Sequence, residues 1–425
     1  MNNITEITRQ IKSGIADAAL LELYTEDGID RHKKRYLKLL AEHLRLFGDA
    51  QAMMVSSPGR TELGGNHTDH NLGTVLAGSV DLDSVCVVSS SGSSGITFVS
   101  EGYEPVRFNI DELDYRAEEK DTTKALLRGI SSRFTELGYT IGGFNLNMNS
   151  DVLKGSGLSS SASVEVLVGT VLSELFNNGM VTPVEVAQIG QYAENNYFGK
   201  ASGLMDQLAC AAGGIIGIDF RDPEEPEIFP VSYEFRKHGY TLIVTDARSS
   251  HANLSDEYSA MPAEMRRVAA EFGKTVCREI SFEEFLPKVA ELRVSCGDRA
   301  VLRAFHFLRE NARAVEMREA LEADDFTLYL NLVNDSGNSS FKYLQNIYLG
   351  NNPSDQALSI ALAFSEDFLS GRGAARVQGG GFAGTIQAYV PTARVDSYVE
   401  LMESIFGSGC SAELKIRLKP ACRIL

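Results

Sequence analysis

Arginine, asparagine, histidine and aspartate crowd the stretch Pro58 to Gly73, which reads PGRTELGGNHTDHNLG. Arg60, Asn66, His67, Asp69, His70 and Asn71 can each donate or accept hydrogen bonds. Short polar side chains between turning glycines suit a ligand rich in hydroxyls, such as a sugar. Composition alone also allows a surface turn, because Gly, Asn and Asp are turn formers. A second cluster, Lys154 to Ser163, reads KGSGLSSSAS. Its loop amides, a helix start and serine hydroxyls could hold phosphate or a Mg²⁺ ion. It lacks the GxxxxGK[ST] pattern, and a Ser-rich connector with a helix cap is the plainer reading. A third cluster, Gln378 to Thr385 (QGGGFAGT), has three consecutive glycines, which weaken regular structure and fit a backbone that approaches a ligand.

The flanking elements must position these loops. Phe144, Leu146 and Met148 alternate with asparagines, predicting a strand just before the second cluster. Val164, Leu167, Val168, Val171, Leu172 and Leu175 fall at helical spacing just after it. Strand, loop, helix is the order that presents free amides to phosphate. Thr182, Pro183 and Glu185 start another helix, which carries Glu194 near its end. Asp206 opens a short apolar helix, where a carboxylate ordinarily serves the helix dipole. Thr241–Thr245 and Ile386–Val390 read as strands, and residues 298–349 are mainly helical. Residues 4–48 read as helical, with 4–20 the weaker part and a candidate mobile arm. Pro58–Gly73 itself shows neither helical nor strand period.

With 425 residues the chain exceeds one ordinary core, so two domains are expected. The prolines and acids of residues 221–230 mark the boundary. That gives an N-terminal helical extension (1–48), a first domain (49–230) and a second domain (231–425). The net charge of −17 argues against nucleic acid and anionic membranes as partners. Six scattered cysteines predict neither a zinc site nor a disulfide framework. No basic-then-apolar start and no spanning apolar run is evident, so the cytoplasm is the expected compartment.

PGR…GGNHTDHN, GSGLSSSAS, GLMDQ and GGGFAGT, in this order, resemble the GHMP small-molecule kinases, and the galactokinases most closely. SSHANLSDEY, ending at Tyr258, is similar to the matching galactokinase segment. The resemblance implies an α+β fold of two domains with the active site in the cleft between them. It implies ATP and Mg²⁺ as cofactors, a sugar as acceptor through its anomeric hydroxyl, and a monomer or weak homodimer. By resemblance, Lys154, Gly155, Ser156, Gly157, Leu158, Ser159, Ser160 and Ser161 wrap the ATP phosphates. Gly380 and Gly381 complete that nucleotide set, and Ser161 (or Ser160) and Glu194 hold Mg²⁺. Asp206 matches the catalytic base and Arg60 the arginine beside it. Asn66, His67, Asp69, Gly203 and Tyr258 join them as the sugar-contacting set.

The chain departs from the galactokinase pattern in the first loop. Asn66 stands for the usual glutamate and His70 for a tyrosine, and Thr61, Glu62 and Gly64 differ from the usual VNLI run. The glutamate position reads the C6 hydroxyl in that family, so galacturonate and L-arabinose are alternatives to galactose. A silent sugar sensor would have lost the second loop or the base, and both are intact here. The HTD triplet and Tyr258 argue against a non-sugar alcohol as acceptor.

Overall fold

The stretch Gln51–Gly64 folds as one strand although its sequence does not alternate. Both of its faces are covered. Met53 and Val55 enter the core beneath the sheet, while Ala52 and Met54 pack outward against the N-terminal helices. Two-sided burial removes the polar face that alternation reports. The first half of the polar cluster is therefore strand, not loop, and the loop proper begins at Gly65. The computed structural model describes residues 1–24, 28–152, 157–200, 202–249 and 254–425. Lys154, Gly155 and Ser156 lie outside the described residues.

Two sheets organise the chain. The larger has nine strands. They are β1 (Asn2–Asn3), β2 (Gln51–Gly64), β3 (Thr74–Ser90), β4 (Gly95–Ser100), β5 (Val106–Asn109), β6 (Phe144–Ser150), β7 (Ile215–Asp219), β8 (Glu227–Val231) and β13 (Cys422–Arg423). The main order is β1-β2-β3-β6-β4-β5, with β13 added to β2 and β7-β8 added to β3. The smaller sheet has the order β10-β11-β9-β12, from β9 (Tyr240–Asp246), β10 (Ala374–Gln378), β11 (Thr385–Pro391) and β12 (Ser411–Leu414). Strand β8 takes the second half of the proline-rich stretch into the larger sheet, so the passage to the smaller sheet comes after Val231.

Helices cover these sheets. Three precede β2: α1 (Ile4–Lys12), α2 (Asp17–Leu21) and α3 (Ile29–Phe47). On the opposite face lie α4 (Thr123–Glu136), α5 (Ser160–Phe176), α6 (Pro183–Ala193) and α7 (Met205–Ala212). Helices α8 (Ser255–Ala270), α9 (Phe282–Ser295) and α10 (Asp298–Glu322) share a core of their own, with α10 also lying along β3, while α11 (Phe326–Ser339), α12 (Ala357–Leu369) and α13 (Val395–Phe406) cover the smaller sheet. This mixture of mainly antiparallel sheets and helices is an α+β fold. Residues 4–20 are no loose arm: Ile4, Ile7 and Ile11 are buried in a core of their own against β2 and β3.

One buried carboxylate ties this outer layer together. Asp83 of β3 accepts hydrogen bonds from Arg35 Nη1 (2.6 Å), Tyr24 Oη (2.5 Å) and the Ser56 hydroxyl. Arg417 Nη1 stands 3.3 Å from its other side. Burial would raise the Asp83 carboxyl, but the charges of Arg35 and Arg417 outweigh it and hold it below the ordinary range. This stability is present above the unfolded-state carboxylate value and is lost as pH falls through the lower folded value. Asp83→Asn leaves the buried Arg417 guanidinium without its counter-ion and Arg35 with Asp151 alone. It is expected to cost about 3–5 kcal/mol in urea unfolding at neutral pH. A change below about 1 kcal/mol would show that the arginines find other partners.

Candidate active site

Strand β2 carries the first functional side chain into the interior. Register shifts between Pro58 and Arg60, and between Glu62 and Gly64, re-aim this part of the strand. Arg60 is buried, and its Nε donates to Asp206 Oδ1 at 2.7 Å. Its Nη1 donates to the Gly157 carbonyl, and its backbone N–H donates to Leu158 O at 3.1 Å. Arg60 therefore holds the second loop by two carbonyls and the α7 carboxylate by a charge.

Asp206 projects from the first turn of α7. Ser159 Oγ donates to its second oxygen, Oδ2, at 2.5 Å. Burial favours the protonated acid. The Arg60 charge and the hydrogen bonds from Arg60 and Ser159 prevail, leaving Asp206 below the ordinary carboxylate range. Its side chain keeps 28% exposure, so an acceptor hydroxyl can reach it. Ser159 adopts a left-handed backbone at the head of α5 (φ 59°) and makes no helix cap. The first amides of α5, at Ser160 and Ser161, thus keep no side-chain cap and stay available to an anion.

Glu194 begins a single π-turn after α6, an irregularity that turns its carboxylate inward. Ser161 Oγ lies 3.3 Å from Glu194 Oε1, and Lys200 Nζ donates to the same oxygen at 2.8 Å. Gln207 Nε2 bridges Glu194 Oε2 (3.0 Å) and Glu165 Oε2 (2.9 Å). Burial, reinforced by the Glu194 charge, pushes the Glu165 carboxyl well up. Ser161 and Glu194 offer the hard oxygen donors that Mg²⁺ prefers, and Lys200 already places a positive charge on that oxygen. Lys200 and Gln207 escaped the sequence reading. Only Gln207's place beside Asp206 hinted at a role.

The residues expected to contact the sugar converge on the glycine run. His67 takes a left-handed backbone (φ 58°), and its Nε2 meets the Gly380 carbonyl at 3.0 Å. Tyr258 Oη donates to Gly381 O at 2.9 Å. A Cβ on Gly380 would fall 2.6 Å from the Tyr258 ring, and one on Gly203 would run into Asp69 Oδ2. Those two glycines are close approaches that no other residue could make.

Asn66 behaves differently from the sequence expectation. It is fully buried, and its amide is spent inside the protein. Nδ2 donates to Glu62 Oε1 (3.0 Å) and Gly379 O (2.8 Å), and Oδ1 accepts from Asn346 Nδ2 at 2.8 Å. Glu62, also buried, accepts a 2.5 Å bond from Arg376 Nη2. Asn66 thus finds all its partners inside the protein. Gln378 completes the circuit by donating to Gly157 O at 3.3 Å, so the first, second and third loops form one network.

The comparisons with known proteins agree with this geometry. The GHMP kinases N terminal domain family matches residues 122–214, and the galactokinase galactose-binding signature matches residues 41–90. A galactokinase of Glaesserella parasuis is 30% identical over 359 residues, covering 84% of this chain and 90% of its own. One from Clostridium beijerinckii is 28% identical, covering 87% and 93%. The crystal structure of Lactococcus lactis galactokinase complexed with galactose superposes with a TM-score of 0.78 at 25% identity, covering 90% of this chain and 98% of that one. The mevalonate kinase of Methanococcus jannaschii shares the fold, with a TM-score of 0.61 at 16% identity. With Asp206, its serine loop and its glycine run in one network, the chain belongs to the galactokinase family of the GHMP kinases.

Proposed function

We propose that this protein is a galactokinase: it transfers the γ-phosphoryl group of ATP to the anomeric hydroxyl of galactose, giving galactose 1-phosphate and ADP. The observation that carries the reading is an ionised, accessible Asp206 clamped by Arg60 and Ser159 at the mouth of the serine loop. Asp206 takes the proton of the acceptor hydroxyl, whose oxygen then forms the new P–O bond as the bond to ADP breaks. Arg60 keeps the base ionised. The uncapped amides at the head of α5 face the phosphate charge. Ser161 and Glu194 would hold Mg²⁺, which when bound neutralises charge on the phosphates. His67, Asp69, Gly203 and Tyr258 line the sugar; Gly157, Leu158 and Ser160, with Gly380 and Gly381, border the nucleotide.

ADP release from MgATP with galactose, galacturonate, L-arabinose, N-acetylgalactosamine and glucose tests the activity. Galactose is expected to give the highest kcat/KM, and silence with every sugar would refute the reading. Asp206→Asn should lower kcat by about 10²–10⁴-fold while galactose still binds by calorimetry. Full turnover in that variant would remove Asp206 as base. In Arg60→Met the acid limb of the pH–kcat/KM profile should move to higher pH, because the charge that depresses Asp206 is gone. An unmoved limb would assign it to another group. Glu194→Gln should weaken Mn²⁺ binding in the presence of ADP, read directly by electron paramagnetic resonance, by about 10–100-fold. Unchanged binding would place the cation elsewhere.

A further inference from the structure

All three carbonyls of the glycine run accept hydrogen bonds from side chains. Gly379 O takes Asn66 Nδ2 (2.8 Å), Gly380 O takes His67 Nε2 (3.0 Å), and Gly381 O takes Tyr258 Oη (2.9 Å). Each carbonyl has only lone pairs, so each bond consumes a proton of its partner. His67 must carry its proton on Nε2, which leaves Nδ1 as an acceptor. Burial holds that imidazole neutral, at about 3. Tyr258 has one proton, already spent, and faces a ligand with lone pairs alone. Asn66 has both amide protons committed to Glu62 and Gly379.

Asn346 braces this arrangement from behind. It is fully buried. Its Nδ2 donates to Asn66 Oδ1 (2.8 Å) and Gly380 O (3.2 Å), and its own carbonyl accepts from Phe382 N–H at 2.5 Å. Gly381 has positive φ (79°) and passes so close to that carbonyl that a side chain there would collide with it. The bond to Oδ1 forces the Asn66 amide protons toward Glu62 and Gly379 rather than the reverse orientation.

We propose that the Gly379–Gly381 carbonyl row, held by the positioning residue Asn346, sets substrate specificity by spending the protons of His67, Tyr258 and Asn66. The buried Asn66 then presents nothing, and His67 and Tyr258 present lone pairs beside the Asp69 carboxylate. They accept from the hydroxyls of a neutral sugar and offer nothing to a sugar carboxylate, which they repel. This rests on the sugar-kinase reading and adds to it that a neutral Asn66 confers no tolerance for galacturonate.

Calorimetry with galactose and with galacturonate on the full chain, alongside turnover, is the test. Wild type should prefer galactose by at least about 10²-fold in affinity, as expected when buried polar groups meet the wrong partner. Asn346→Leu should raise KM for galactose about tenfold and narrow that preference. Tyr258→Phe, which only deletes a hydroxyl, should narrow it too and serves if Asn346→Leu fails to fold. Galacturonate binding within threefold of galactose in wild type would overturn the proposal, as would an unchanged preference in a folded variant. Discrimination in binding without any phosphorylation would refute the kinase reading and leave this one standing.

Discussion

A buried guanidinium needs a counter-charge, and Arg60 finds it in Asp206. Taking that cation out of water is costly unless the partner is close and the remaining protons are satisfied. Here Nε meets the carboxylate and Nη1 meets the carbonyl of Gly157. The same residue's backbone holds Leu158. One ion thus sets the position of β2, the serine loop and the head of α7 together. Asp206 and the serine loop are consequently one unit. Neutralising Asp206 strands the Arg60 charge beneath the loop, so effects of mutations here will not add.

Around that pair the charges alternate in sign. Glu194 answers Lys200, and Glu62 answers Arg376. The galactokinase pattern usually places an amide at the position of Glu62 and the acid at that of Asn66; this chain holds the reverse. The carboxylate stands four residues earlier, on strand β2, where burial pushes it up while Arg376 and Arg60 draw it down. The family's loop survives with its acid relocated rather than lost.

Local signals made much of this legible. The strand–loop–helix order around Ser159–Ser163 follows from alternation and helical spacing, and Thr182 with Glu185 forms the capping box that starts α6. The order of the loops pointed to the family. What the sequence could not display was direction. β2 hid because burial on both faces removes alternation. Asn66 was expected to face the sugar, yet its orientation is set by Asn346 and Gly379, 280 and 313 residues away. Lys200 carries no local pattern, and only the π-turn brings Glu194 within its reach. Asp83 looks like any strand aspartate until Arg35 and Arg417 close on it from opposite parts of the chain.

That last meeting bears on how the protein is made. Cys422 pairs with Ser56 in β2, Ile416 bridges Val80, and Arg417 reaches Asp83. A ribosome delivers β2 and β3 long before these partners emerge, so the larger sheet waits with Asp83 paired to Arg35 alone and with an open edge. Contacts of such sequence separation close slowly. The segment from Gly65 onward continues from the same strand, whose edge closes only once residues near 420 have emerged. Until then the nascent chain exposes the edge that residues near 420 later cover, which is where a chaperone would have reason to bind.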